Sequence, residues 1–386
     1  MTQPPNGWGN QPLPPPPENG WQGQQPGQQP PMQSPPSWGP QYQQQFTPPP
    51  PPKNNRALKW ALGGTALIAV IAITAVVTMS LGGGDKEKGD GSGPTPTAGS
   101  GSNSEFASAN DTGPVTIITE DPSCAAWIPI VNTLADRSKN GWLERDPSIP
   151  VTGWSPEQRS QHDEVGQSMR VAADQTGPLA KLTTHRVMRQ LYEQFIAYAR
   201  AYADAIPTYS PKDDLLARTA STATDALSNI CSAITFNSAA ARAPLVPEAP
   251  APTSTAPVGD PAHPTRFLAS PDPVCPDWQA ALDKFRADTT DWRGIAPDVP
   301  AGQWSPDQKA ITEAVAPVMR ESADTLEEIG RRSSNPILQD FAVLAAQYRR
   351  AYAQALPTYA PGDQYLAAVA LRVGGVVLGA CKAAGD

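Results

Sequence analysis

A duplicated segment, Pro-Thr-Tyr followed by Pro and Asp, contains the residues best suited to chemistry. It combines Tyr209 with Asp213 and, 150 residues later, Tyr359 with Asp363. Together with a tryptophan from the same part of the chain, a tyrosine and an acid could line a pocket for a polar ligand such as a glycan. The candidate binding residues are Trp154, Tyr209, Asp213, Trp304, Tyr359 and Asp363.

The same segment also fits a structural role. In that role the prolines end one helix and begin the next, the aspartate caps the second helix, and the tyrosine packs over the turn. The sequence favours this interpretation, because Pro207 and Pro357 each follow a stretch with helical periodicity. Neither interpretation provides a catalyst.

The chain shows no motif of a catalytic or metal site. It lacks a GxSxG elbow, a phosphate-binding glycine loop and an HExxH helix. The histidines His162, His185 and His263 do not recur at equivalent places and have no cysteine or acid at metal-ligand spacing. We therefore predict no catalytic residue, no cofactor and no metal. Paired carboxylates for glycoside cleavage stay open, because their separation in space decides that chemistry.

The acidic composition excludes one class of partner. The net charge is -8 and the isoelectric point is near 5.0, whereas a protein that neutralises nucleic-acid phosphates carries a basic surface. We therefore predict no nucleic-acid partner. The 46 prolines and 30 glycines are too many for one continuous globule, so much of the chain must be linker.

An internal repeat with a spacing of 150 to 151 residues organises the second part of the chain. WSPEQ at 154–158 returns as WSPDQ at 304–308, and AYADAIPTYSPKD returns as AYAQALPTYAPGD. One single-residue insertion or deletion after Trp127 and before Trp142 accounts for the change in spacing. The chain therefore contains two copies of one domain.

Each copy has the sequence signals of four helices. A short helix begins near the first cysteine, and Ser155 or Ser305, each followed by proline, caps a second helix. A third helix carries an apolar stripe that includes Tyr198 and Tyr202, and a fourth runs from the Pro-x-Asp motif to the second cysteine.

The cysteines test this count of helices. In an up-down-up-down bundle, an even number of helices brings the start of the first and the end of the last to the same pole, which makes a disulfide possible. Four cysteines allow three pairings. Because the repeat demands the same bridge in each copy, we predict the disulfides Cys124–Cys231 and Cys275–Cys381.

Residues 57–81 are predicted to form one transmembrane helix. Trp60 to Leu81 are 22 residues without a charge, which at ~1.5 Å per residue can cross the hydrocarbon core of a bilayer. Three basic residues precede this stretch and two follow it, which favours a cytoplasmic N-terminus. All four cysteines come after it, and paired cysteines belong in an oxidising compartment. We therefore predict a single-pass plasma-membrane protein whose C-terminal domains are extracytoplasmic.

These patterns predict an all-α fold class: two tandem disulfide-stapled four-helix-bundle-like domains after one transmembrane helix, with a disordered N-terminal arm. The arm has 18 prolines in residues 1–52 and one charged side chain, Glu18, so no hydrophobic face offsets the entropy of ordering. The predicted organisation is a Pro/Gln-rich cytoplasmic arm at 1–56, the transmembrane helix at 57–81, a Gly/Ser/Thr-rich linker at 82–121, helical repeat 1 at 122–236, a Pro/Ala-rich linker at 237–273 and helical repeat 2 at 274–386.

This layout resembles that of poorly characterised mycobacterial and related actinobacterial membrane proteins. The resemblance rests on the Pro/Gly/Gln-rich arm, the Ala/Val/Ile-rich helix, the Gly/Ser/Thr spacer and the cysteine-bearing domains beyond it. It implies a cell-envelope setting, with the tandem domains in the periplasm or wall. The resemblance does not identify any functional residue in this chain.

Two functions fit this layout. One is a non-enzymatic envelope protein whose tandem domains bind a wall polymer, a lipid or a protein, while the proline-rich arm recruits a cytoplasmic partner. The other is a membrane-anchored sensor that binds a small molecule or lipid inside a bundle. A sensor needs an unfilled apolar pocket, whereas an interaction protein needs filled cores and an apolar or aromatic surface patch.

Overall fold

The computed structural model of the chain describes residues 105–385. The predicted arm, the predicted transmembrane helix and residues 82–104 of the predicted linker lie outside the described residues, so these remain predictions. Within 105–385 the regular elements are nine α-helices and short 3-10 turns, without a strand. For this part of the chain the predicted all-α fold class is confirmed.

Each repeat contains four long helices, as the sequence predicts. Those of repeat 1 are α1 (Cys124–Ser138), α2 (Pro156–Leu182), α3 (Arg186–Ala205) and α4 (Asp214–Thr235), followed by the short α5 (Ser238–Arg242). Those of repeat 2 are α6 (Cys275–Asp288), α7 (Pro306–Arg332), α8 (Pro336–Ala355) and α9 (Gln364–Ala383). Sequential helices pack side by side within each repeat, which is the arrangement of a four-helix bundle.

The Ser-Pro pairs begin the second helix of each repeat. The Ser155 hydroxyl accepts a hydrogen bond from the backbone N–H of Gln158 (3.1 Å), and the Gln158 side chain accepts one from the N–H of Ser155 (2.9 Å). Ser305 and Gln308 form the same capping box at the start of α7. Local sequence therefore fixes where α2 and α7 begin.

Helix α3 is buried around almost its whole circumference. Four residues of its predicted stripe, Leu191, Phe195, Tyr198 and Tyr202, have no exposed surface. The helix packs against α2 and α4 of its own repeat and also against α8 of repeat 2. For this reason its polar residues, such as Arg186, are buried as well.

A disulfide joins the first helix of each repeat to the fourth. Cys124 is bonded to Cys231 and Cys275 to Cys381, with Cα–Cα distances of 5.4 and 5.7 Å. These are the pairs that the even number of helices predicts. Each bridge closes a loop of more than a hundred residues and so constrains the unfolded chain strongly.

The two repeats pack against each other within one compact unit. Helix α4 packs against α9 and α3 against α8, so equivalent helices meet as they do across a two-fold axis. Small residues permit the close approach of α4 and α9, since a Cβ atom on Gly379 would lie 2.5 Å from the hydroxyl oxygen of Thr219.

The segments that precede the two repeats each cross to the other repeat. Ile118, before α1, is buried, and its N–H donates to the hydroxyl of Tyr348 on α8 (3.2 Å). Phe267, before α6, is buried, and its N–H donates to the side-chain oxygen of Gln194 on α3 (3.0 Å). These crossings add to the contacts that hold the repeats together.

One described helix is long and apolar enough to cross a membrane. It runs from Pro361 to Ala383, and its most apolar 18-residue window has a mean hydropathy of 1.7 and is half buried. It includes Cys381, which is bonded to Cys275 of α6, and it packs along α4. These contacts are those of the core helix of a bundle.

Candidate functional site

The structure brings together the candidate tryptophan and tyrosine of each repeat. Trp154 lies just before α2 and Tyr209 lies in the connection between α3 and α4, with ring centroids 4.9 Å apart. Trp304 and Tyr359 form the equivalent pair in repeat 2, stacked with centroids 5.5 Å apart. The two repeated motifs therefore meet at one pole of each bundle.

The polar atoms of these aromatic residues bind the backbone of the loop between the first two helices. The indole N–H of Trp154 donates to the carbonyl of Ile149 (3.0 Å), and the hydroxyl of Tyr209 donates to that of Pro147 (3.1 Å). In repeat 2 the equivalent donors bind the equivalent carbonyls at 3.0 and 2.6 Å. Burial raises the pKa of Tyr209 to about 12, so its hydroxyl stays protonated. The four aromatic side chains thus fasten this loop to the connection between the third and fourth helices.

The aspartates of the motif fix the same connection. Asp213 accepts hydrogen bonds from the N–H (2.8 Å) and the hydroxyl (2.7 Å) of Ser210, and Asp363 accepts one from the N–H of Ala360 (2.9 Å). Asp363 also accepts two from the guanidinium of Arg242 on α5, at 2.9 and 3.1 Å. Asp213 therefore caps its turn, whereas Asp363 also ties the segment between the repeats to repeat 2.

In repeat 1 the aromatic pair extends into a buried network that sequence reasoning missed. Trp154 stacks on His162, with ring centroids 3.8 Å apart. The hydroxyl of Tyr202 contacts both Nδ1 of His162 and the indole N–H of Trp142, each at 2.8 Å. The pKa of His162 is lowered to about 4, chiefly by burial and also by nearby Arg145, against an opposing effect of Asp214. The imidazole is therefore neutral at neutral pH and packs as a ring.

An ion pair lies beside this network. The guanidinium of Arg145 lies 3.5 Å from the ring centroid of Trp142 and donates twice to Asp214, at 2.5 and 3.0 Å. The positions of Arg145, His162 and Asp214 hold Ile295, Thr312 and Gln364 in repeat 2. Comparing the repeats position by position could have marked these three residues as specific to repeat 1.

Two voids in the described fold bear on ligand binding. One, of about 340 Å³, opens at the surface between the segment before α1 and the N-terminus of α3. Its polar lining includes Asn110, Asp111, Thr184, His185 and Arg186. None of the six candidate binding residues lines it. Within residues 105–385, no group of three His, Cys, Asp or Glu side chains could hold a metal ion.

The second void is a crevice in the core of repeat 2, too narrow for a water molecule. It is lined by Phe285, Trp292 and Arg349 among others. Arg349 is 1% exposed, its guanidinium carbon lies 4.0 Å from the ring centroid of Phe285, and one guanidinium nitrogen donates to Ser322. Another of its nitrogens, Nη2, is buried without a hydrogen-bond partner in the described structure. Burial lowers the pKa of Arg349 to about 9.

Comparison with known proteins places the chain in a family. The model of the family described as "Mycobacterial ESX-1 associated protein" matches residues 106–385, which include both repeats. An uncharacterised protein of Mycolicibacterium smegmatis (strain MKD8) is 49% identical over 329 residues, which are 85% of this chain and 87% of that relative. No solved structure matches. The predicted resemblance to poorly characterised mycobacterial proteins is confirmed, and the chain belongs to the mycobacterial ESX-1 associated protein family.

Proposed function

We propose that this chain is a non-enzymatic cell-envelope protein with a secretion-related role in association with ESX-1. Its tandem helical repeats bind a wall, lipid or protein partner outside the cytoplasm, and the Pro-rich arm recruits a cytoplasmic partner. The predicted helix at 57–81 anchors it in the plasma membrane. The family description is the support for the ESX-1 association.

One observation carries the binding role. The indole and hydroxyl groups of the repeated Trp-Tyr pairs bind loop carbonyls of their own repeat, and the aspartates cap their own turns. The motif shared by both repeats is thus used for folding, because its polar atoms already have partners. Partner binding is then a role for the outer surfaces of the two disulfide-bridged bundles.

The setting outside the cytoplasm rests on the disulfides and on the apolar segment. Both bridges need an oxidising compartment to form and persist. The segment at 57–81 precedes all four cysteines, so an anchor there with a cytoplasmic N-terminus delivers the repeats to that compartment.

The sensor hypothesis gains no support from the cores. A pocket for a small molecule usually has about 300 to 1,000 Å³, whereas the crevice in repeat 2 does not admit water. The 340 Å³ void lies at the surface and outside the bundle interior. The narrowness of this crevice favours an interaction protein over a sensor.

The experiment is crosslinking and affinity purification of the tagged full chain from native mycobacterial membranes. A matched chain that ends at residue 104 keeps the arm and the predicted anchor but lacks both repeats. We expect at least one specific partner with the full chain that is absent with the truncated chain. Recovery of no specific partner, or of the same partners with both chains, would contradict the proposal.

A further inference from the structure

The surface void of repeat 1 has the size of a small-molecule site. Its volume is about 340 Å³, within the range of about 300 to 1,000 Å³ that is usual for such sites. It lies between the segment 114–118, which precedes α1, and the first turn of α3. Its rim residues are Asn110, Thr116, Thr184 and His185. We call this space the α3 pocket.

Two residues at the start of α3 hold the segment on either side of the pocket. Both terminal nitrogens of Arg186 donate to the carbonyl of Gly113 at 3.3 Å. Nε2 of His185 contacts the carbonyl of Glu120 at 3.0 Å. The segment borders the pocket between these two contacts. The pocket is therefore formed before a ligand arrives, which reduces the entropy cost of binding.

The charged groups in the wall of the pocket already neutralise one another. The guanidinium of Arg186 donates to the carboxylates of Asp111 and Asp340, and the backbone N–H of Arg186 donates to Asp111 as well (2.6 Å). An anionic ligand would have to compete with two carboxylates for Arg186, and a cationic ligand would have to compete with Arg186 for Asp111. The pocket therefore favours a ligand without a charge.

The rim of the pocket offers both donors and acceptors of hydrogen bonds. Within residues 105–385 the side chains of Asn110, Thr116 and Thr184 make no hydrogen bond, and neither do the backbone groups of Val115 and Thr116. Because the carbonyl of Glu120 can only accept, Nε2 of His185 carries a proton, and Nδ1 of the neutral ring is an acceptor. A ligand that matches such a mixed set must itself both donate and accept. Hydroxyl groups do both.

The floor of the pocket is apolar. Val115, Ile118 and Val187 line it and are 6%, 2% and 4% exposed. The C–H groups of a sugar ring can pack on such a floor while its hydroxyls face the rim. A purely apolar ligand, such as an acyl chain, would instead take water away from the polar rim without replacing its hydrogen bonds.

Repeat 2 has different residues at the equivalent places. Asn335 stands where repeat 1 has His185; its side chain accepts from the N–H groups of Ile337 and Leu338 and donates to the carbonyl of Phe267 (2.6 Å). Phe267 stands 151 residues after Thr116, the spacing that also relates Cys275 to Cys124, and it is buried. The polar rim of the α3 pocket therefore belongs to repeat 1, because it is not part of what the repeats share.

We propose that the α3 pocket binds a neutral, hydroxyl-rich ring, namely one sugar residue of a wall polysaccharide. The ring packs on the apolar floor, and its hydroxyls exchange hydrogen bonds with Asn110, Thr116, Thr184 and His185. This inference rests on the proposed function as an envelope binding protein, and it names the site and the class of ligand.

The test is saturation-transfer NMR of the full chain in a detergent that contains no sugar. The probes are the methyl glycosides of glucose, mannose, galactose and arabinose. Glucuronate and glucosamine serve as charged analogues, and a blocked alanine tripeptide serves as a peptide control. We expect at least one neutral glycoside to bind with a dissociation constant of about 1 to 10 mM, because a ligand of so few atoms gains little affinity. The charged analogues and the peptide should bind at least about tenfold more weakly.

Three variants connect binding to the pocket. Thr116→Phe places a ring on the rim and should weaken binding at least about tenfold, whereas Thr253→Phe, at an exposed position of the linker between the repeats, is the matched control and should bind as the unmodified chain does. Thr184→Val keeps the shape of the side chain without its hydroxyl, so it should fold normally and weaken binding about three- to tenfold.

The outcomes separate this inference from the proposed function. No binding of any glycoside, equal or tighter binding of a charged analogue or of the peptide, or undiminished binding in both Thr116→Phe and Thr184→Val would each overturn the inference. If affinity purification finds a specific partner and no glycoside binds, the inference fails alone. If affinity purification finds none, the proposed function fails.

Discussion

Arg186 of repeat 1 and Asp340 of repeat 2 form a buried ion pair across the contact between the repeats. Nε and Nη2 of Arg186 donate to the two carboxylate oxygens at 2.8 and 3.0 Å, and both side chains are 2% exposed. Gln190, which occupies in repeat 1 the position of Asp340, also donates to Asp340 (2.8 Å). The equivalent positions 190 and 340 thus meet at the interface with different side chains. Arg186 binds the charged one, Asp340.

Removing one member of this pair should cost far more than removing an exposed pair. Asp340→Ala leaves the Arg186 guanidinium buried without its main counter-charge, for which we expect a loss of about 3 to 5 kcal/mol in the free energy of unfolding. The double change with Arg186→Ala should cost less than the sum of the single changes. Denaturant titration measures both. Asp136→Ala, which removes the exposed pair with Lys139, is the control and should cost less than about 1 kcal/mol; equal effects at 340 and 136 would refute the argument.

The disulfides make a prediction that covalent mapping can check. Proteolysis without reduction should yield peptides that join Cys124 to Cys231 and Cys275 to Cys381, and a peptide joining Cys124 to Cys275 would exclude this fold. Cys124→Ser with Cys231→Ser should lower the free energy of unfolding by up to about 4 to 5 kcal/mol, because the open loop gains entropy in the unfolded chain. A change below about 1 kcal/mol would show that the bridge contributes little.

The sequence was sufficient to predict what local signals and the repeat determine. Ser155, followed by proline, marks the start of α2 as predicted, and the structure adds Gln158 as its partner in a capping box. The disulfides followed from the even number of helices together with the repeat, which requires the same bridge in each copy. The burial of Tyr198 and Tyr202 followed from the 3.6-residue period.

Contacts between residues that are far apart in the sequence were not predicted. Arg186 and Asp340 are separated by 154 positions, and no periodic pattern relates them. His162 has no counterpart in repeat 2, so the repeat pattern does not mark it, yet its ring stacks on Trp154. Asp121 and Asp272 accept hydrogen bonds from the backbone N–H of Ser123 and Val274, just before the first helix of each repeat, and from the hydroxyls of Thr183 and Ser333. They form an equivalent pair one or two positions outside the predicted domain boundaries.

Gly330 on α7 should tolerate no side chain. A Cβ atom there would lie 2.2 Å from the Cβ of Ala342 on α8, which cannot rotate away because it is attached directly to the backbone. Gly330→Ala should therefore lower the free energy of unfolding by about 1 to 3 kcal/mol through overpacking. Gly374→Ala is the control, since its nearest contact would be an ordinary 3.6 Å, and it should gain up to about 1 kcal/mol from helix propensity. Thermal or denaturant unfolding measures whether each variant is less or more stable than the unmodified chain. A Gly330→Ala variant more stable than the unmodified chain would contradict this packing.

His162 should make repeat 1 sensitive to acid. Its pKa is about 4 in the folded chain, against an ordinary value of 6.5, so between these values the unfolded chain binds a proton that the folded chain does not. Stability should therefore fall as pH decreases from 6.5 towards 4, with a slope of up to about 1.4 kcal/mol per pH unit, and be constant above 6.5 with respect to this group.

The measurement compares the unmodified chain with His162→Thr, which copies Thr312 of repeat 2. Arg145, Asp214 and Tyr202, which face the imidazole, remain in both chains. Burial raises the pKa of Asp225 and works in the opposite direction, but its effect cancels in the difference between the chains. The free energy of unfolding of the unmodified chain minus that of His162→Thr should become smaller or change sign below pH 6.5. Parallel stability profiles of the two chains from pH 7 to 4 would exclude His162 as the cause.

Arg349 should destabilise the repeat that contains it. Its guanidinium is buried with one hydroxyl and one aromatic ring as partners, and one nitrogen remains unpaired in the described structure, so the cost of desolvation is poorly offset. Repeat 1 has Ala199 at this position. Arg349→Met keeps most of the volume without the charge, and we expect the free energy of unfolding to rise by about 1 to 4 kcal/mol.

The neighbouring Arg350 supplies the control. It pairs with Asp324 and Glu327 at 2.7 and 2.6 Å, so Arg350→Met should lower stability by up to about 1 kcal/mol. Denaturant titration should therefore show a gain in the free energy of unfolding for Arg349→Met and a loss for Arg350→Met. A loss of stability in Arg349→Met would show that the contacts with Ser322 and Phe285 outweigh desolvation, because those are the contacts that methionine cannot reproduce.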